Sequence, residues 1–164
     1  MIKEDALQAL LKESLKNSPA DETELVGYVN STSLTRFAKS LIHQNVREDN
    51  SNVFARVAVG KRIGVASTNR LTTEAITAAM ESATAMAKES PEQPDFPGLP
   101  KAEKAPEVAA FSNATANMTP DERADAVGKA AAVATAAGVA VSGAYRIGKL
   151  SMAVANTSGT EQHY

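Results

Sequence analysis

The fold of this chain is decided by residues 53–71, which read VFARVAVGKRIGVASTNRL. From Val53 to Val59 every second side chain is alanine or valine, a pattern typical of a strand with one buried face. Gly60-Lys61 is a two-residue connection whose glycine can adopt the positive φ of a hairpin turn. Gly64, inside the returning strand, predicts a bulge or a close approach of another backbone. The stretch therefore predicts a β-hairpin.

A helix and two more strands are predicted before the hairpin. Residues 4–16 place four leucines on one helical stripe: Leu7, Leu10, Leu11 and Leu15. Residues 22–30 and 34–46 are predicted as two strands, and the second of them has a bulge or a turn near Lys39-Ser40. The first third of the chain is therefore expected to form a helix followed by part of a sheet.

An alanine-rich helix is predicted directly after the hairpin, with Thr72 or Thr73 as its N-cap. Its buried face is expected to comprise Ala75, Ile76, Ala79, Met80, Ala83 and Met86. A second such helix carries the clearest local signal in the chain. Thr119 is its N-cap, proline follows at the first helical position, Glu122 completes a capping box, and Gly138 ends it.

These two helices are expected to lie side by side on one face of the sheet, because their small side chains permit close approach. Leucine in place of Ala79 or Ala130 should then overpack that layer and lower the free energy of unfolding by on the order of 1–3 kcal/mol. The predicted fold class is α+β, with a curved antiparallel sheet of five or six strands.

A proline-rich arm separates the two halves of the chain. Residues 91–106 contain five of the seven prolines, so they cannot form a helix. Phe96 and Leu99 are expected to attach the arm to the surface. Two final strands are predicted at 139–145 and 150–155, joined at residues 146–149. The predicted division of the chain has three parts: a helix–sheet–helix unit at 1–90, the arm at 91–106, and a helix with a strand pair at 107–164.

Composition excludes several classes of function. The 164 residues carry a formal net charge of −2, whereas domains that bind nucleic acid usually have a clear basic excess. Cysteine is absent, so the sequence offers neither disulfides nor thiolate chemistry. No apolar run reaches the length of a membrane span, and the charged N-terminus does not resemble a signal peptide. We therefore expect a cytoplasmic protein with no nucleic-acid or membrane partner.

The residues offer no self-sufficient active site. Zinc hydrolysis needs several imidazoles or carboxylates that converge on one ion, together with a carboxylate that handles the proton. The two histidines, His43 and His163, lie far apart in the sequence, and neither is followed by glutamate. No nucleophile elbow and no phosphate-binding glycine loop is present either. The sequence therefore predicts no catalytic and no metal-binding residue.

Recognition of an extended peptide by a sheet is the remaining possibility that the residues suggest. Five polar side chains on the predicted strands are candidates to line such a surface: Arg36, Gln44, Asn45, Arg47 and Arg56. The competing interpretation is that they form the solvent face of a half-buried sheet, which must be polar in any case.

Three segments together resemble the N-terminal region of the TldD/PmbA family of zinc metallopeptidases, also called modulators of DNA gyrase. They are SLTRFAKSLIHQN at 33–45, VGKRIGVASTNRL at 59–71 and PDFPGLP at 94–100. The resemblance implies a homo- or heterodimer that encloses a cavity and cleaves unfolded peptides. Zinc in that family is held by an HExxxH-type helix of the C-terminal region, and no position of this sequence matches it. The resemblance thus implies no cofactor in this chain.

The predicted function is therefore that of the non-catalytic N-terminal domain of such a peptidase. In this role the domain is expected to enclose the substrate cavity and to support dimer assembly. The family's activity is implicated in peptide maturation and antitoxin turnover. The alternative is a free-standing adaptor module that binds a peptide or a protein without enzymatic activity. A third interpretation, direct inhibition of gyrase, has no support from the charge of the sequence.

Overall fold

The computed structural model describes residues 4–103, 105–106 and 108–163. It contains a five-stranded antiparallel sheet of order β3-β2-β1-β4-β5, together with helices, so the predicted α+β class is confirmed. The elements in chain order are α1 (Glu4–Leu15), β1 (Glu22–Ala38), β2 (Leu41–Val59), β3 (Arg62–Thr68), α2 (Thr73–Glu89), α3 (Asn113–Asn117), α4 (Pro120–Ala136), β4 (Gly143–Asn156) and β5 (Glu161–His163).

Strands β1, β2 and β4 are longer than the sequence predicts. The expected breaks at 31–33, 47–52 and 146–149 do not exist, because each strand runs through them. In β2 the missed part is mostly exposed, so it has no buried face and shows no alternation of apolar and polar residues. The backbone ladder with neighbouring strands, rather than the side-chain pattern, keeps this part extended.

The turns predicted at Lys39-Ser40 and at Gly60 are confirmed. Lys39 and Ser40 connect β1 to β2 with φ angles of 49° and 62°, the left-handed conformation that a two-residue hairpin turn requires. The amide of Ser40 donates to the Val141 carbonyl over 2.8 Å, which ties this turn to the segment before β4. Gly60 connects β2 to β3 with a φ of 58°.

Contacts divide the chain into two compact units. Unit 1 comprises residues 1–29, 50–107 and 150–164, and unit 2 comprises residues 30–49 and 108–149. Each unit is thus assembled from segments that are distant in the sequence. The predicted division into three consecutive parts, with boundaries after residues 90 and 106, follows the order of the sequence instead of the contacts, and it stays a prediction.

Unit 1 contains a tightly packed apolar core. Its ten buried members come from α1, α2 and the sheet: Leu7, Leu11, Leu25, Val53, Ala55, Ile76, Ala79, Met80, Ala153 and Ala155. Strand β3 lies so close to α2 that a Cβ atom built on Gly64 would be 2.0 Å from the carbonyl oxygen of Ala83. The close backbone approach that Gly64 predicts is therefore confirmed.

The buried face of α2 differs in part from the prediction. Ile76, Ala79, Met80 and Ala83 are buried as expected, but Met86 is 53% exposed and Ala75 is only half-buried. Thr84 is buried instead, and its hydroxyl donates to the Met80 carbonyl within the helix. Such a bond satisfies a polar side chain inside the helix, so a threonine can occupy a core position.

The arm is attached to the rest of unit 1 at several points. Leu99 is 7% exposed, and its amide donates to a Glu22 carboxylate oxygen over 2.7 Å. The Pro100 carbonyl accepts from Asn156 and Thr160, each over 2.9 Å. Leu99 is thus an attachment point as predicted, whereas Phe96 is only half-buried.

Helix α4 belongs to unit 2 and begins as predicted. Thr119 and Glu122 form the capping box, and proline occupies the first turn. Its buried residues are Arg123, Val127 and Ala131, which are spaced four apart and form one narrow stripe. Ala130 is exposed, so the predicted overpacking at that position is wrong. The expected common layer with α2 is not confirmed, because α2 belongs to unit 1.

Candidate functional site

The five side chains predicted to bind a peptide are divided between the two units. Arg56 belongs to unit 1, and the other four belong to unit 2. Arg36 and Gln44 are exposed and take no part in the two clusters described below. Only Asn45 and Arg47 are placed beside groups that a ligand could use.

Arg56 stabilises the sheet of unit 1. Its guanidinium lies 2.9 Å from a carboxylate oxygen of Glu24 on the neighbouring strand, and Glu24 is largely buried. Val65 lies opposite Arg56 in the β2–β3 ladder, and the rings of Tyr28 and Phe54 lie 6.3 Å apart on the adjoining strands. An arginine paired in this way within a largely apolar face has its charge already neutralised, so it is a poor candidate for binding a peptide.

Asn45, itself exposed, takes part in a hydrogen-bonded cluster around the buried Arg123, which sequence reasoning missed. Arg123 is 3% exposed. Its Nε donates to Thr35 Oγ1 over 3.2 Å, one terminal nitrogen donates to Asn45 Oδ1 over 3.0 Å, and the other donates to the Met118 carbonyl over 3.2 Å. The fork of the guanidinium thus joins β1, β2 and the residue before the cap of α4.

No carboxylate in the part of the chain that the structure describes is paired with Arg123. Burial of a charge without a counter-charge is costly unless hydrogen bonds compensate for it, and here neutral oxygens do so. A signal for this role was present in the sequence. Arg123 precedes Val127 and Ala131 at intervals of four, so it lies on the only stripe that α4 buries.

A cleft of about 310 Å³ lies beside this cluster, entirely within unit 2. It is formed by β1, β2, β4 and the connection from α3 to α4, and its lining residues are Ser31, Ser33, Arg47, Ala116, Asn117, Met118, Thr119, Pro120, Ile147, Gly148 and Lys149. Met118 belongs to both features, since its carbonyl holds Arg123 and the residue lines the cleft.

Two cationic side chains, Arg47 and Lys149, line the cleft and set its electrostatics. Arg47 pairs with Asp49 through Nε and one terminal nitrogen, with the shortest contact at 3.1 Å. Hydrogen bonds from Ser31 and from Arg47 lower the pKa of Asp49. Lys149 also lines the cleft and has no carboxylate partner among the described residues. The lining residues and Asp49 together therefore carry one excess positive charge.

The first turn of α4 is not a free anion site, although it borders the cleft. The backbone amide and the hydroxyl of Thr119 both bond a carboxylate oxygen of Glu122, over 2.7 and 2.9 Å. These two bonds lower the pKa of Glu122. The carboxylate thus already occupies the donors that an external anion would need.

A metal centre does not fit the residues present. Within 4–103, 105–106 and 108–163, no three histidine, aspartate or glutamate side chains converge to hold an ion. His43 and His163 are both exposed. Among the described helices, none combines the length and the apolar character that a bilayer crossing needs.

Comparison with known families identifies part of the chain. Residues 23–87, which include the hairpin and most of α2, match the family described as PmbA/TldA metallopeptidase domain 1. This segment of the chain therefore corresponds to the first domain of the TldD/PmbA family. The resemblance seen in the three sequence segments is confirmed. No curated protein sequence gives a significant match.

Solved structures share the fold of the whole chain. TldE from Thermococcus kodakarensis matches with a TM-score of 0.85 and 20% identity, over 96% of this chain and 36% of its own. A candidate modulator of DNA gyrase from Thermotoga maritima matches with a TM-score of 0.70 and 18% identity, over 98% of this chain and 36% of its own. Another from Bacteroides thetaiotaomicron matches with a TM-score of 0.76 and 17% identity, over 100% of this chain and 39% of its own. The chain therefore spans less than two fifths of each of these proteins.

Proposed function

We propose that this chain acts as the non-catalytic N-terminal domain of a cytoplasmic zinc metallopeptidase of the TldD/PmbA type. In this role it encloses part of the cavity that receives unfolded peptides and supports the assembly of a homo- or heterodimer. Zinc and the hydrolytic residues belong to the C-terminal region that the family resemblance implies. The described residues contribute shape and binding groups.

One observation carries this proposal. Nearly the whole chain matches just over a third of much longer proteins, while residues 23–87 match the first domain of a metallopeptidase family. The absence of converging metal ligands among the described residues is consistent with a division of labour in which another region holds the ion. The residues that line the cleft of unit 2 offer binding groups but include no histidine, aspartate or glutamate that could act as a general base for its hydroxyls.

The test measures metal and activity on the same purified chain. We expect less than about one zinc ion per ten chains by mass spectrometry, because hydrolytic zinc sites need at least three protein ligands. We also expect no chelator-sensitive hydrolysis of reduced, unfolded casein. Stoichiometric zinc together with hydrolysis that a chelator abolishes would overturn the proposal.

The free-standing adaptor remains the second candidate, and the cleft with its excess positive charge is the observation that favours it. The genomic reading frame after codon 164 discriminates between the two. A continuation that encodes an HExxxH helix supports the peptidase domain, and a stop codon at that point supports the adaptor.

A further inference from the structure

The lining of the cleft in unit 2 combines two chemically different sets of side chains, which we call its apolar wall and its polar wall. The apolar wall is formed by Ala116, Met118, Pro120 and Ile147. The polar wall is formed by hydroxyls, an amide and two cations: Ser31, Ser33, Thr119, Asn117, Arg47 and Lys149. A ligand that complements both walls has one anionic group with several acceptor oxygens, next to an apolar group.

The cleft has an excess of one positive charge, which a ligand with a single negative charge would balance. Asp49 already neutralises Arg47, but the pair uses Nε and one terminal nitrogen of the guanidinium, so the other terminal nitrogen stays available. Lys149 has no carboxylate partner in the described part of the chain. A carboxylate with one charge therefore matches the excess better than a dianionic phosphate does.

The size of the cleft selects for one residue rather than a longer segment. A volume of about 310 Å³ lies at the lower end of the range for small-ligand pockets. The Arg47 side chain is 59% exposed, so the polar wall borders solvent and a chain attached to the bound residue can continue outward.

We propose that this cleft binds the carboxyl-terminal residue of a peptide. Lys149 and the free nitrogen of Arg47 bind the terminal carboxylate, with Ser33 as a further donor. Met118 and Ile147 contact an apolar side chain of the same residue. Naming a peptide as the ligand rests on the proposed role in peptide handling, whereas the carboxylate and the apolar group follow from the cleft.

The test is calorimetric titration of the full chain with two probes that differ only at the terminus. These are acetyl-alanyl-leucine with a free carboxylate and the same dipeptide as its carboxyl amide. We expect the free acid to bind at least tenfold more tightly, because the amide removes the charge that the cations bind. Leucine should also bind more tightly than glycine at the last position, because of the apolar wall.

Three variants connect that preference to the cleft. Lys149→Met should weaken binding of the free acid about tenfold, because it removes one charged donor and keeps the length of the side chain. The matched control is Lys129→Met, an exposed position of α4 outside the cleft, and it should leave binding unchanged. Asp49→Asn should strengthen binding severalfold, because it frees Arg47 from its internal partner.

A purely structural role for these residues predicts that Asp49→Asn weakens binding, so this variant separates the two explanations. The proposal is overturned by equal binding of acid and amide, or by equal losses in Lys149→Met and Lys129→Met. Tighter binding of inorganic phosphate than of the free acid would overturn it in favour of a phosphate site. Tighter binding of acetate would show a site for small free acids. None of these outcomes changes the zinc and casein measurements, so failure of this inference and failure of the proposed function are distinguishable.

Discussion

Among the described residues, unit 1 buries fifteen apolar side chains and five polar ones, whereas three of the five residues that unit 2 buries are polar. The buried residues described in unit 2 are Ser31, Thr35, Arg123, Val127 and Ala131. Unit 1 is thus stabilised mainly by close packing of small side chains. Unit 2 depends on hydrogen bonds around one buried guanidinium.

The two units also differ in net charge. Unit 1 contains ten lysines and arginines against fourteen acidic residues, and unit 2 contains seven against five. The slightly acidic total therefore conceals a basic region, and the cleft lies in that region. Composition of the whole chain excluded a strongly basic surface, but it could not show a local excess of one or two charges.

The largest expected effect tests the packing of unit 1. Gly64→Ala would place a Cβ atom 2.0 Å from the Ala83 carbonyl oxygen and 2.6 Å from the Ala87 amide nitrogen, so β3 and α2 must separate. We expect a loss of about 3 kcal/mol in the free energy of unfolding, measured by urea denaturation.

The matched control for that substitution lies in unit 2. Gly128→Ala adds a methyl group at an exposed position of α4 where, apart from its chain neighbours and the nearby backbone of the helix, no atom lies within 4 Å of the new Cβ. Because alanine favours helix more than glycine does, this variant should gain about 0.5–1 kcal/mol. Equal effects of the two substitutions would show that the two units are packed alike.

The second prediction tests the buried guanidinium of unit 2. Arg123→Lys keeps the charge, but one ammonium group cannot reach the Thr35, Asn45 and Met118 oxygens that the planar fork joins. We expect the free energy of unfolding of unit 2 to fall by about 2 kcal/mol. The loss should be seen as faster amide hydrogen exchange in α4. Exchange in α2, which buries six residues against unit 1, should stay unchanged. Uniformly faster exchange in both helices would contradict a stabilising role of Arg123 that is confined to unit 2.

The third prediction compares the helix caps. Thr119→Ala and Thr72→Ala each remove a side-chain oxygen that accepts a backbone amide, and each should cost about 1 kcal/mol. In α2 the buried face holds the first turn in place, so the loss should appear only in global unfolding. In α4 only a narrow stripe is buried, so the first turn is held less firmly and its amide hydrogen exchange should become faster. The reverse pattern would contradict this account.

The smallest expected effect is a pH dependence at the same two caps. Hydrogen bonds lower the pKa of Glu122, first from the Thr119 amide and then from its hydroxyl. The pKa of Glu74 in α2 is lowered by its own backbone amide and by the Thr72 side chain. A lowered pKa in the folded state means that the stabilisation is complete above the pKa of an unfolded glutamate, roughly 4.3, and is lost as the pH falls through the folded value.

Acidification should therefore loosen the first turn of α4 more than that of α2, because α2 buries more of its residues, as followed by the amide chemical shifts of Thr119 and Glu74. Glu122→Gln, which keeps an acceptor oxygen but does not titrate, should remove the change at Thr119. A change that persists in this variant would have to come from another group.

Several predictions from the sequence were confirmed because they depend on a few neighbouring residues. The turn at Gly60, the capping box at Thr119 and the close approach at Gly64 each follow from the conformational or steric properties of local residue types. The failures occurred where the outcome depends on distant residues. Met86 and Ala130 were expected to be buried from helical spacing alone, but the spacing does not say which neighbour covers a face.

By itself, the sequence determined the fold class, the hairpin, the helix starts and the attachment of the arm at Leu99. These features are fixed by local backbone preferences and by the period of apolar residues. Tertiary structure alone decided the continuity of the long strands, the burial of Arg123 and the cleft beside it. Each of these joins segments that are up to about a hundred residues apart, such as Thr35 and Arg123 with 88 between their positions. Alternation and capping rules act over a few residues, so they carry no information about contacts at that range.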